Sequence, residues 1–262
     1  MKSSATQIRT SVAKSYSRAI HAAEEEKDSC CATSCCGSSE PTELNENVPS
    51  FGCGDPLLFS NVDEGATVLD LGSGAGYDLI AAASRVGPEG HVIGIDMTDD
   101  MIAAAQRNVD AAGLANVEIR KGIIEDLPVE SNSVDWVISN CVINLSPEKE
   151  RVFSEINRVL KPGGRFSISD ICASDLPEWL LSDESAYAGC IAGAVSENAY
   201  FHGLKRAGLT DLLIDQKMKY GVGELRAMAV DADLRSDGVS DLDLEEVAGK
   251  VWTIRFTGRK PL

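Results

Sequence analysis

The sequence predicts an α/β fold, a mostly parallel sheet covered by helices on both faces, and three observations carry that expectation. From residue 66 onward, short apolar runs alternate with amphipathic stretches of ten to fifteen residues, the pattern of strand–helix–strand units. A glycine-rich turn, Gly72-Ser73-Gly74-Ala75-Gly76, stands between the first apolar run and the first of those amphipathic stretches. The chain has 262 residues, of which 44% are hydrophobic and 25% charged, so it carries enough apolar material for a full core.

Ahead of the sheet, Ile8, Val12, Tyr16, Ala19, Ile20 and Ala23 recur at helical spacing and predict an amphipathic helix over residues 6–26. Glu24, Glu25 and Glu26 oppose the negative pole of its dipole and fray its end. A small-residue loop follows with Cys30, Cys31, Cys35 and Cys36, four thiols in seven positions, which a plain linker rarely carries. The alternation then runs in order: strand 67–71, helix 77–86, the turn Gly87-Pro88-Glu89-Gly90, strand 91–95, and helix 98–112 with Thr98 as N-cap and Gly113 as stop. Strands follow at 117–120 and 134–138. Pro147 suits the first turn of a helix that runs to residue 160. Lys161-Pro162-Gly163-Gly164 ends that helix, and residues 165–170 form a fifth strand. Residues 196–207 read as a helix and 209–217 as a strand. Residues 250–258 alternate, Val251, Thr253 and Arg255 against Trp252, Ile254 and Phe256, as in a terminal strand whose antiparallel direction is left open. The expected division is an N-terminal helix and cysteine loop (1–50), a cofactor-binding domain (51–175), and a substrate-side insertion with C-terminal strands (176–262).

A formal net charge of -17 repels a phosphate backbone and excludes nucleic acid as a partner. No apolar leader opens the chain, and the longest near-apolar run, residues 188–195, is far shorter than a membrane span. A soluble cytoplasmic protein without a membrane partner is expected. There the 8 cysteines stay mostly reduced, which favours metal or metalloid binding, redox chemistry or plain buried thiols over a disulfide framework.

Gly72, Gly74 and Gly76 permit a tight turn and close approach of backbone to a ligand. Their G-x-G-x-G spacing differs from the G-x-G-x-x-G of dinucleotide binders. Asp96, ending the second strand, either grips both hydroxyls of a ribose or caps the next helix; Asp70 either meets a cationic ligand amine or braces the loop through backbone amides. These residues, with Leu-Lys-Pro-Gly-Gly at 160–164, resemble the class I S-adenosylmethionine-dependent methyltransferases over residues 67–170. The resemblance implies a Rossmann-like, seven-stranded, mostly parallel sheet with the cofactor S-adenosylmethionine across its carboxyl edge. The implied binding residues are Asp70, Gly72, Gly74, Gly76, Asp96, Met97, Ile123, Ile124, Glu125 and Asn140. Many relatives carry an acidic residue at the position of Ile123; here the adenine is left to the backbone of Ile123 and Ile124, and to Glu125.

Thiolates are soft ligands for soft acceptors, and arsenic(III), which forms pyramidal three-thiolate complexes and keeps a lone pair, is the first choice of acceptor. Cys141 ends the fourth strand in the substrate crevice, Cys190 lies in a Gly/Ala-rich segment beyond the fifth, and Cys53 lies between Gly52 and Gly54. Each is either a ligand or a small packed hydrophobe; Cys172, ending the fifth strand, is read as packing. The phrases Phe-Gly-Cys-Gly at 51–54, Ser-Asn-Cys-Val-Ile-Asn-Leu at 139–145 and the one around Cys190, with Gly-Ile-Asp-Met at 94–97, look like those of the arsenite methyltransferase family over residues 51–207. That resemblance implies As(III) on Cys53, Cys141 and Cys190, with Cys30, Cys31, Cys35 and Cys36 as auxiliary thiols. It also implies a redox-active disulfide between Cys53 and one upstream cysteine, arsenite or its thiol conjugates as substrate, and thioredoxin or glutathione as reductant. The chain departs from the family in carrying Phe51 where relatives commonly have Tyr, and in matching nothing after Gly221. Two other functions stand beside this one: a methyltransferase of an organic small molecule, which has no use for the three cysteines together, and a non-catalytic, thiol-rich metalloid-binding protein.

Overall fold

The computed structural model describes residues 4–28, 48, 52, 57, 62–231 and 239–262. The N-terminal helix α1 spans Ala5–Asp28. The alternating body follows as β1 (Thr67–Leu71), α2 (Tyr77–Val86), β2 (His91–Asp96), α3 (Asp99–Ala111), β3 (Val117–Lys121), β4 (Val134–Asn140), a 3-10 turn (Ile143–Leu145), α4 (Lys149–Val159) and β5 (Leu160–Ala173). The remainder is α5 (Glu178–Leu181), α6 (Glu184–Ala188), α7 (Glu197–Arg206), β6 (Thr210–Lys219), α8 (Val222–Asp231), α9 (Asp241–Val247) and β7 (Val251–Arg259).

The strands form one seven-stranded sheet in the order β3-β2-β1-β4-β5-β7-β6. β1 to β5 run parallel, while β7 is antiparallel to both β5 and β6. The sheet therefore has the predicted class, and the terminal strand takes the antiparallel direction that its alternation left open. The winding reverses between β1 and β4, the place where open α/β sheets leave a crevice at their carboxyl ends.

Alternate residues of the central strands feed two cores. Leu69, Leu71, Val137, Phe166 and Ile168 pack on one face with Tyr200 and Phe256. Val68, Trp136 and Ile138 pack on the other with Leu79 and Ala82 of α2. On the first face Tyr200 stacks on Phe256 (centroids 4.5 Å apart, planes at 9°) and tilts against Phe153 of α4 at 5.1 Å. A third core joins Val12 of α1 to Cys141, Leu145, Cys190, Ile191 and the C-terminal Leu244 and Val251. Farther along α1, Ile20 packs with Ala75, Met101 and Ala104. The N-terminal helix is thus built onto the carboxyl edge of the sheet.

The entrance to β5 and four short helices differ from the sequence expectation. The segment Lys161-Pro162-Gly163-Gly164, expected as a loop, lies inside a 14-residue β5. Pairing with β4 is irregular there, shifting between Val134 and Trp136. Gly163 takes φ 79° and donates to the Lys260 carbonyl at 3.0 Å, so proline and glycine are carried in a bulged strand entrance. The helices α5, α6, α8 and α9 escape periodicity because each has too few turns to display an apolar stripe or, in α8, carries only a weak one.

Helices α4 and α7 cross where Gly203 faces Phe153: a Cβ there would stand 2.4 Å from the ring Cε2. Gly203→Val is expected to lower stability by roughly 2 kcal/mol, the usual size of overpacking. An unchanged urea midpoint would refute so close a crossing.

Candidate functional site

A cavity of about 890 Å³, counting its open mouth, lies at the carboxyl ends of β1, β2 and β4. Its floor is the glycine loop. Gly72 (φ 67°), Gly74 (φ 51°) and Gly76 (φ 92°) are all left-handed, the conformation that glycine adopts without penalty. At Gly72 there is no room for more: a Cβ would meet Val142 Cγ2 at 2.3 Å. Helix α1 supplies the opposite wall through Arg9, Val12 and Tyr16, one helical face at spacings of three and four.

Asp96 realises its capping alternative and more. Its Oδ1 accepts the Thr98 N–H at 2.8 Å, at the N-cap of α3, and its Oδ2 accepts the Gly74 N–H at 3.0 Å. Bracing of the loop thus falls to Asp96. Asp70 is only 1% exposed, and its Oδ2 has no hydrogen-bond partner. Burial first, then the neighbouring Asp78 and Asp96 charges, push its carboxyl well above the usual range. Burial also raises Asp96, partly offset by the backbone N–H groups of Thr98 and Gly74. Asp78, in the first turn of α2, accepts from Asn140 Nδ2 at 3.1 Å. Ser73 Oγ at the cavity wall is likewise buried without a partner. Three carboxylates around a glycine cradle, one with an unanswered oxygen, suit a ligand that carries positive charge.

Met97, Ile123, Ile124, Glu125 and Asn140 all line the cavity. Glu125 is already engaged: its Oε1 accepts from Ser146 Oγ at 2.6 Å and from Arg9 Nε at 3.2 Å. Arg9 also bonds Glu148 at 2.5 Å, so the carboxylate ties α1 to the rim.

Two of the three expected cysteines converge. Cys141 follows β4, lines the cavity and takes φ 55°, while its N–H donates to the Ser169 carbonyl at 2.8 Å. The Cys190 thiol donates to the Cys141 carbonyl at 2.7 Å, and Cys190 also has a positive φ, 63°. Cys141 is disulfide-bonded, whereas Cys190 and Cys172 are free buried thiols. Cys172 packs in the core as expected. Cys53, Cys30, Cys31, Cys35 and Cys36 lie outside the described residues. Gly52, the neighbour of Cys53 in the chain, lines the cavity so close to Asn140 that a Cβ would stand 2.3 Å from its Cγ.

Residues that the sequence did not single out hold this turn. Asn144 donates to Asp170 from its backbone (3.2 Å) and from Nδ2 (2.8 Å), and Ile171 N–H and Tyr200 OH complete the carboxylate's partners at 2.9 Å and 3.2 Å. Lys149 Nζ donates to the carbonyls of Asn144 and Ser146 at 3.0 Å and 2.9 Å. Burial pushes Asp170 up to about 7 and lowers Lys149. Burial, then Asp170, push the Cys190 thiol up. The signal available beforehand was Asn144 inside the Ser-Asn-Cys-Val-Ile-Asn-Leu phrase; nothing local marked Arg9, Lys149 or Asp170.

A methyltransferase domain family model matches residues 62–217. The chain is 53% identical over 145 residues to an arsenite methyltransferase of Halobacterium salinarum, covering 55% of this chain and 37% of that protein. It is 38% identical over 218 residues to an arsenite methyltransferase of Aquipseudomonas alcaligenes, covering 77% and 62%. The chain therefore spans less than two thirds of these curated relatives. The crystal structure of an arsenic(III) S-adenosylmethionine methyltransferase from Chlamydomonas reinhardtii is 34% identical, with a TM-score of 0.66, covering 84% of this chain and 71% of that one.

Asp170 offers a test of the buried cluster. Its folded value, about 7, lies above the ordinary 3.8, so the folded state holds the proton more tightly than the unfolded chain. The associated stability is complete below pH 4 and is lost as pH rises toward 7, by up to about 1.4 kcal/mol per pH unit. The stability difference between the native protein and Asp170→Asn, from urea unfolding, is expected to shift toward the variant across that window. A pH-independent difference would show an ordinary carboxyl.

Proposed function

We propose a function from one premise: the chain belongs to the arsenite S-adenosylmethionine methyltransferase family. Its activity is methyl transfer from S-adenosylmethionine to As(III) held on the thiolates of Cys141, Cys190 and Cys53, giving methylated arsenicals and so detoxifying arsenic. The observation that carries this is the Cys190 thiol bonded to the Cys141 carbonyl at 2.7 Å, beside the acid-lined cavity.

The residues fit the cofactor. Asp70, with its unpartnered buried oxygen, takes the ligand's ammonium group. The carboxylate of Asp96 takes the ribose hydroxyls on the lone pairs that Gly74 and Thr98 leave free. Gly72, Gly74 and Gly76 let the backbone approach, and Met97, Ile123 and Ile124 flank the base, with Glu125 and Asn140 at the rim. When bound, the cofactor supplies a methyl group on an electron-poor sulfonium.

The protein's own work is alignment and exclusion of water. Arsenous acid exchanges each hydroxyl for a cysteine sulfur, the thiol proton leaving with the hydroxyl as water. The arsenic lone pair is then held toward the donor, and orientation of this kind can supply about 7–11 kcal/mol of the barrier. Cys141 must first be freed from its disulfide. Two thiols of a reductant, thioredoxin or two molecules of glutathione, are oxidised as the bond is reduced. The cytoplasm, where such reductants prevail, is the compartment that suits this chemistry.

The test uses reduced protein, arsenite and methyl-labelled cofactor. Label is expected in arsenicals, and Cys53→Ser, Cys141→Ser and Cys190→Ser should each lower the rate by roughly 100-fold, as misaligned reactants do. Turnover of an organic acceptor surviving all three changes would overturn the arsenic assignment and leave a methyltransferase of small molecules. Asp70→Asn should weaken cofactor binding by about 30-fold or more, the scale of a truncated buried charge pair. In the native protein that affinity should fall with falling pH as the raised Asp70 carboxyl takes its proton. Calorimetry showing equal affinity for both proteins would remove Asp70 from the site.

A further inference from the structure

We propose that Tyr16 is a positioning residue for methyl transfer: its ring walls the donor cavity while its hydroxyl holds the Cys190 sulfur at that cavity's edge. The proposal rests on Cys190 being an arsenic ligand. Tyr16 lies on the α1 face that also carries Arg9 and Val12 into the cavity. Its hydroxyl donates to the carbonyl of Ala188, the last residue of α6 and two residues before Cys190, at 3.4 Å. The Cys190 side chain packs in the same core as Tyr16 and lies within reach of that hydroxyl. One part-buried side chain therefore touches both the space for the donor and the sulfur for the acceptor.

The need for such a contact follows from the Cys190 backbone. A residue with a Cβ at φ 63° is held there only by its surroundings. Its N–H donates to the Tyr187 carbonyl at 3.0 Å, and its thiol donates to the Cys141 carbonyl. The second of these bonds disappears on arsenic binding, because the thiol proton leaves as water and the sulfur becomes an acceptor only. The Tyr16 O–H then turns from the Ala188 carbonyl to the sulfur, while Lys149, the nearby part-buried cation, is occupied by the carbonyls of Asn144 and Ser146. Helix α1 thereby contributes to the acceptor site as well as to the cavity wall.

The experiment is a double-mutant cycle on the reduced full chain, read as the calorimetric affinity for inorganic arsenite without cofactor and, separately, for the cofactor alone. Tyr16→Phe, which keeps the ring, is expected to weaken arsenite binding by up to about tenfold, the loss of one hydrogen bond to a neutral acceptor. It should leave cofactor affinity unchanged, and in a Cys190→Ser background it should have no further effect. Tyr16→Leu, which removes the wall, should weaken both ligands. Unchanged arsenite affinity in Tyr16→Phe, or an equal loss with and without Cys190, overturns the proposal. Full arsenite affinity in Cys190→Ser alone would instead overturn the arsenic-ligand role of Cys190.

Discussion

The turn that leaves β4 places a residue with a side chain where glycine is the usual solution, and the site is assembled around that choice. Cys141 at φ 55° exposes its carbonyl to Cys190 and its own side chain to the cavity. Such a backbone costs of order 1–3 kcal/mol and persists only where neighbours hold it. Here they do so from three sides: Ser169 accepts the Cys141 N–H, Asp170 gathers Asn144, and Lys149 ties down the carbonyls of Asn144 and Ser146. The Cys190 loop approaches this turn closely because Gly193 has no side chain, and a Cβ there would stand 2.2 Å from the Asn144 carbonyl oxygen. A change in any of these supports moves two cysteines at once.

Two buried carboxylates near the site carry opposite meanings. Asp170 has four donors and a nearby lysine, and its raised value expresses burial of a satisfied group. Asp70 has an oxygen with no donor and two carboxylates for neighbours. The first arrangement is complete without a ligand, while the second leaves one carboxylate oxygen unanswered. Arg9 does not relieve it, since that guanidinium is bonded to Glu125 and Glu148. A cationic cofactor drawn into the cavity would pull Asp70 back toward its ordinary range, and by linkage the ionised carboxylate would draw the cofactor in.

What could be read from the sequence is what is local in it. The glycine loop, Asp96 at the end of β2 and the phrase around Cys141 each lie within a few residues, and the backbone they describe is set by neighbours along the chain. Five parallel strands were legible because each is a short apolar run bounded by turn residues. The role of α1 was not, since its apolar spacing announces a helix without naming the surface it covers; Arg9 meets Glu125 across more than a hundred residues. Lys149 and Asp170 were hidden for the same reason, a charged residue at a helix start and another in a strand being ordinary until the fold brings them together. Glu125 was seen as a contact for the base, but its engagement with Arg9 and Ser146 depends on α1 packing.

The unequal state of the two described site cysteines has a physical logic on the proposed function. Cys190 is enclosed, its thiol is pushed up by burial and by Asp170, and it donates a hydrogen bond to a carbonyl. A protonated, buried thiol is a poor partner in disulfide exchange. Cys141 lines the cavity and is the one in a disulfide. Oxidation and reduction therefore act on one ligand while the other stays ready, and reduction of a single bond restores the pair. The high proton affinity of Cys190 does not bar arsenic, because exchange with arsenous acid consumes a thiol and a hydroxyl together and releases water, with no free thiolate required in the buried site. On that function, the burial that shields Cys190 from oxidants would still leave it competent toward a neutral metalloid acid.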